Sequence, residues 1–159
     1  MNTFKTTLAA ASLGLASIAT SAAADDMATV QTFYDLLSNP GSETHVAAFL
    51  DATTEDWESI GNYSGTNELR DEFVGQMGFF DQLMPDLEWS VQAMHQDGNF
   101  VTVRSRATGT PVGPLFGVDG EGRGFDILTI DIHELEDGKV IRTYHVEDWA
   151  GALQQLAGN

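Results

Sequence analysis

Two Asp-Gly pairs, Asp97-Gly98 and Asp137-Gly138, each separate runs in which apolar and polar residues alternate. Asp-Gly in that setting is a strong hairpin signal, because the favoured two-residue turns need positive φ at their centre. The two turns commit the second half of the chain to four consecutive strands. Leu87 to His95 places Leu87, Trp89, Val91 and Ala93 on one side and Glu88, Ser90 and Gln92 on the other. After the turn at 96–99, Phe100 to Thr108 returns with Val101, Val103 and Ala107 opposite Thr102, Arg104 and Arg106. Phe125 to Leu135 and Val140 to Asp148 form the second pair, around the turn at 136–139. The glycine-rich connection Gly109 to Gly124 carries Pro111, Pro114 and the patch Leu115-Phe116, and reads as a loop or lid at a pocket mouth. Trp149 to Leu156 reads as a short closing helix.

The first half has helical spacing instead. Val30, Phe33, Tyr34 and Leu37 recur at i, i+3, i+4 and i+7, one face of a helix over Thr29 to Leu37. Ser42 is placed to cap a second short helix through Phe49-Leu50. Asp56 to Ile60 reads as an edge strand, followed by a loop at 62–65. Leu69, Phe73, Met77, Phe80 and Met84 mark the longest expected helix, Asn67 to Met84, capped by Thr66 and ended by Pro85. Helices followed by a meander predict an α+β fold. A sheet of that length twists strongly, so the expected shape is a cone, with the Asn67–Met84 helix packed on its concave side.

The start of the chain reads differently. Lys5, the apolar run Leu8 to Ile18 and the small residues Ala22-Ala23-Ala24 make a cleavable secretory leader over 1–24. That leaves one domain at 25–159, with a periplasmic or secreted location and no membrane association after cleavage. There is no cysteine, which excludes disulfides and thiol chemistry. Lys and Arg number 7 against 24 Asp and Glu, a formal net charge of −17, so nucleic acid is an unsuitable partner. No H-x-H, H-E-x-x-H, EF-hand or G-x-S-x-G pattern occurs, and neither a metal nor another cofactor is expected.

Several pieces, in this order, resemble the SnoaL-like polyketide cyclases of the nuclear transport factor 2-like superfamily. They are the helix Val30 to Leu37, Gly65 followed by the long helix, Met84-Pro85-Asp86-Leu87, Gly98 to Val103, and Gly109-Thr110-x-x-Gly113. Leu115-Phe116-Gly117, Asp137-Gly138-Lys139-Val140 and the tail Leu153-Gln154-Gln155-Leu156 complete the set. The resemblance spans Ala28 to Ala157. It implies a cone-shaped α+β barrel around an apolar pocket, and intramolecular aldol ring closure driven by a late aspartate without metal or cofactor. Laid on the family's late pattern, Asp148 takes the aspartate's place, Tyr144 a tryptophan's and Arg142 a glutamate's. The family's Thr-His becomes Thr110-Pro111. With Glu134 standing where an arginine is usual, Glu134 and Arg142 read as a swapped ion pair.

Asp148 is therefore the expected proton shuttle, since a carboxylate in an apolar cone has its pKa raised by desolvation. The competing expectation is an N-cap for the helix at Trp149. Tyr144 is expected to orient the substrate from the same strand face. Arg104, Glu134, Arg142, Phe80 and Trp57 are the remaining expected pocket residues. His145 falls on the opposite face unless a bulge intervenes, and the facing of His95 and His133 is left open. Two functions follow: acid–base catalysis on a small apolar carbonyl compound, or binding of an apolar molecule without turnover. A homodimer through the open sheet face is a third expectation.

Overall fold

The computed structural model describes residues 14–158. Helix α1 (Gly14–Ser38) leads through α2 (Glu43–Ala52) into strand β1 (Thr53–Ile60). The two-residue β2 (Glu68–Leu69) and α3 (Arg70–Leu83) follow. Then come β3 (Glu88–Asp97), β4 (Phe100–Gly109), β5 (Phe125–Glu136), β6 (Lys139–Glu147) and the closing α4 (Trp149–Ala157). The six strands form one curved, mixed sheet in the order β2-β1-β6-β5-β4-β3, in which only the β1–β6 pair is parallel. The α+β architecture is as expected from the sequence. Of the leader expected over 1–24, residues 1–13 lie outside the described residues.

The helix enclosed by the sheet is α1 rather than α3. Val30, Phe33, Tyr34 and Leu37, predicted as one helical face, are all buried, and α1 packs against β3, β4 and β6. Phe33 stacks on Phe73 of α3 at 5.4 Å, and Phe49 of α2 meets Trp57 of β1 edge-on at 5.3 Å. Burying each such ring contributes on the order of 2–3 kcal/mol. These aromatics bind the three helices to the sheet's concave face. Ser42 caps α2, its hydroxyl accepting from the His45 N–H.

Alternation governs β4 and β5 without interruption. Val101, Val103, Ser105 and Ala107 point in, while Thr102, Arg104 and Arg106 point out. On β5 the inward set is Phe125, Ile127, Thr129, Asp131, His133 and Leu135. The turn between β5 and β6 has both central residues, Asp137 and Gly138, at positive φ, as its type requires. Two bulges change the phase elsewhere. Gln92 is the extra residue in β3, so Met94 replaces Ala93 on the inner face. Ile141 is the extra residue in β6, since Leu135 pairs Val140 while Glu134 pairs Arg142.

Two boundaries differ from expectation. β1 is no edge strand: β6 pairs with one side and β2 with the other. The same pairing shortens the helix predicted from Asn67. Glu68 and Leu69 are drawn into the sheet, Leu69 becomes the cap residue, and its N–H donates to Glu72 Oε2 at 3.0 Å. Leu69 is thereby left half exposed, while Phe73, Met77 and Met84 of the predicted stripe are buried.

Candidate active site

Where α3, α4 and the sheet diverge, a cleft of about 150 Å³ remains. Its walls are mainly aromatic and sulfur-bearing: Phe33, Phe73, Met77, Phe80, Met84, Trp89 and Trp149. A dry cavity of about that size accommodates a single aromatic ring. Phe116, from the connection predicted as a lid, closes over it and meets Trp149 at 5.6 Å. At the other end the lining turns polar: Ser59, Glu68, Gln76, His145 and Glu147. That end opens into a polar vestibule of about 420 Å³ bounded by Asn62, Thr66, Asn67 and Glu72.

His145 is the centre of the polar end. The bulge at Ile141 turns Thr143, His145 and Glu147 inward, reversing the facing expected from plain alternation. Nδ1 of His145 lies 2.9 Å from Glu147 Oε2, and Nε2 lies 3.1 Å from Ser59 Oγ. With Nδ1–H donating to the carboxylate, Nε2 is the basic nitrogen, and it lies on the Ser59 side. Burial alone pulls this imidazole down, but the hydrogen bond and charge of Glu147, aided by the charges of Asp131 and Glu68, outweigh it. The net effect is a pKa above the ordinary histidine value. Glu68, hydrogen-bonded to Gln76, is pushed up by its own burial. Gly61 gives the ring its room: a Cβ there would lie 2.9 Å from the imidazole.

Behind His145, directly opposite it in the β5–β6 register, stands Asp131. Its Oδ2 is 2.8 Å from the Tyr34 hydroxyl, which is 2.9 Å from His133 Nε2. His133 Nδ1 is 3.0 Å from Thr143 Oγ1, which accepts from Trp57 Nε1 at 3.1 Å. All five side chains lie inside the fold. Desolvation pushes Asp131 up to about 7 and holds His133 down to about 3. Among the described residues no three His, Asp or Glu side chains come together in a metal-holding group.

The expected site residues are dispersed. Asp148 is exposed and caps α4, its Oδ1 accepting from the Gly151 N–H at 2.9 Å, as the capping expectation has it; it does not line the cleft, where a proton shuttle would stand. Tyr144 faces outward with Ile130, Ile132 and Val146, its hydroxyl 3.4 Å from Glu134. Arg142 and Glu134 do pair, at 3.3 Å, but on that same outer face, so neither lines the cleft. The bulge moved these residues out as it moved His145 in. Arg104 is exposed on the outer side of β4, because strict alternation there puts even positions outside. Trp57 is core, fully buried against Phe49 and Phe73 and separate from the cleft lining. Phe80 lines the cleft as expected.

Sequence reasoning missed Glu147, Asp131, His133 and Tyr34. A signal was available in β5. Its inward positions read Phe125, Ile127, Thr129, Asp131, His133, Leu135. Three successive polar residues on an otherwise apolar face violate core patterning, and such violations mark sites.

A family model described as SnoaL-like polyketide cyclase matches residues 28–156. No curated protein matches the chain. IdmH from Streptomyces antibioticus superposes with a TM-score of 0.71 at 22% identity, covering 83% of this chain and 98% of its own. A SnoaL-like protein from Jannaschia sp. CCS1 gives 0.73 at 22% identity, with 86% and 94% covered. TsrD from Streptomyces laurentii gives 0.72 at 18%, with 86% and 97% covered. At these identities the likenesses speak to the fold.

Proposed function

Given that this chain belongs to the SnoaL-like polyketide cyclase family, we propose that it catalyses cyclase- or isomerase-type proton transfer at carbon, on a small carbonyl compound with an apolar body. The observation that carries the reading is His145, hydrogen-bonded to Glu147 and presenting Nε2 at the polar end of an aromatic cleft. The apolar body lies among Phe73, Phe80 and Trp149, and the carbonyl reaches the polar end. Nε2 takes the proton from the carbon beside the carbonyl. The imidazolium that forms is stabilised by Glu147, and the Ser59 hydroxyl or the Gln76 amide donates to the developing enolate oxygen. The same imidazolium returns the proton, to carbon for isomerisation or to the new alkoxide after aldol closure. Every proton in this sequence is carried by a side chain.

The test is α-hydrogen exchange of 1-indanone in D2O, followed by proton NMR. The wild type should accelerate exchange, and His145→Ala should remove about 100-fold or more of that acceleration, the usual contribution of a positioned acid–base group. Exchange at the buffer rate, with quenching of Trp89 and Trp149 fluorescence on adding the ketone, would refute turnover of such ketones and favour binding alone.

A further inference from the structure

The buried run from Trp57 to Asp131 has one open question, its direction. Trp57 is a donor only, so Thr143 Oγ1 accepts from it. From there the run can be satisfied in two ways. With Asp131 ionised, the hydroxyl of Thr143 donates to His133 Nδ1, His133 Nε2–H donates to Tyr34, and Tyr34 donates to Asp131. With Asp131 protonated on Oδ2, each of these bonds can turn round: Asp131 donates to Tyr34, Tyr34 to His133 Nε2, and His133 Nδ1–H to Thr143. In the first arrangement every donor of the run has an acceptor; in the second the Thr143 O–H gives up His133 Nδ1 as its acceptor, which weights the run towards the first. A buried neutral histidine, which can exchange one tautomer for the other, is what makes both possible. An asparagine or glutamine in its place could reverse only by flipping its whole amide.

We propose that Asp131 is a positioning residue that sets the basicity of His145, and that the Tyr34–His133–Thr143 run reverses direction as Asp131 gains or loses its proton. The register places Asp131 across from His145 on the inner face, beside the Nδ1–Glu147 pair. The carboxylates facing His145 are then Asp131 from β5, Glu147 from its own strand, Glu68 from β2 and Glu72 from α3, and the neutral His133 of β5 faces it as well. Asp131 differs from the other three in its surroundings: it is nearly inaccessible, and its charge is tied to a reversible run of neutral groups. Burial pushes it up to about 7, the range in which the run becomes able to reverse. As a role in catalysis this rests on the acid–base reading of His145; as a statement about charge coupling it does not.

The test is a pH titration of the full chain by 15N–1H correlation of the histidine rings. In the wild type, His133 should pass from the Nδ1–H tautomer at pH 5 to the Nε2–H tautomer at pH 9 while remaining neutral. Asp131→Asn should hold His133 in one form across that range and lower the His145 midpoint by roughly one unit. Tyr34→Phe removes the donor that favours ionised Asp131, so it should lower the His145 midpoint too, without touching the cleft. A His133 that keeps a single tautomer in the wild type, or a His145 midpoint unmoved in both variants, would overturn the proposal. Loss of ketone exchange does not bear on these titrations, so the two readings fail separately.

Discussion

Thr143→Val removes one oxygen from the middle of the buried run and alters almost nothing else. Valine matches threonine in shape and suits a strand equally well. Thr143 is wholly inaccessible, so no water replaces the hydroxyl. Two partners are stranded. Trp57 Nε1–H loses its acceptor, and an unsatisfied buried donor costs about 1–3 kcal/mol. His133 Nδ1 loses its partner as well, but it can rest as a bare lone pair, at the lower end of that range, about 1 kcal/mol. The sum is about 2–4 kcal/mol, a large share of the roughly 5–15 kcal/mol that holds a domain together. Urea denaturation followed by far-ultraviolet circular dichroism should show it as a lower midpoint at unchanged slope. The same loss should take roughly 10 °C from the thermal midpoint. A cycle with Trp57→Phe isolates the Trp57 part, because phenylalanine has no N–H to strand. The coupling should be about 1 kcal/mol or more. A variant within about 0.5 kcal/mol of wild type, where ordinary surface changes fall, would mean that the run does not constrain the core as described.

Asp148→Ala should cost about 1 kcal/mol by uncapping α4, while Asp148→Asn should be nearly neutral in thermal melts and neither should slow ketone exchange. Gly61→Ala pushes a methyl group into the His145 ring; exchange should fall at least tenfold with little change in melting temperature. The pH dependence of stability has a sign set by three groups. Asp131, pushed up to about 7, is a proton the folded state alone holds above about pH 4, so it favours folding as pH falls towards 4. His133, held down to about 3, is protonated only in the unfolded state below about pH 6.5, so it opposes folding as pH falls. Between about pH 4 and 6.5 the two slopes cancel; Asp131→Asn should unmask the histidine and make stability fall, relative to wild type, by up to about 1.4 kcal/mol per unit of acidification. His145, raised above its ordinary value, stabilises the fold below about 6.5, and that contribution fades as pH rises through its folded midpoint; His145→Gln should flatten the alkaline limb.

Most of the frame could be read from the residues because its signals are local. The Asp-Gly turns, the alternation of β4 and β5, and the i, i+4, i+7 spacing of Val30, Tyr34 and Leu37 are each decided within a few positions. The serine cap of α2 was equally plain. The site was less legible because long-range pairing decides it. Nothing in the stretch Val140 to Asp148 announces that Ile141 is an extra residue, and alternation counted from Val140 puts Tyr144 inside and His145 outside. β2 is two residues long and exists only because β1 offers an edge, so its effect on the start of α3 has no signature of its own. Asp148 had two local explanations, and the exposed position of the α4 start favours the simpler. The polar residues at inward positions of β5 were visible, but their partner Tyr34 lies on a helix nearly a hundred positions away.

The extra residue in β6 also has a consequence for how such a scaffold can change its chemistry. Pairing Ile141 with Glu134 in unbroken register, in place of looping it out, would turn the rest of the strand over, sending the imidazole and its carboxylate partner to the solvent side and delivering a phenol and a guanidinium to the interior. Whether one residue is looped out or paired thus decides which of two complete sets of reactive groups faces the interior, while strand order stays the same.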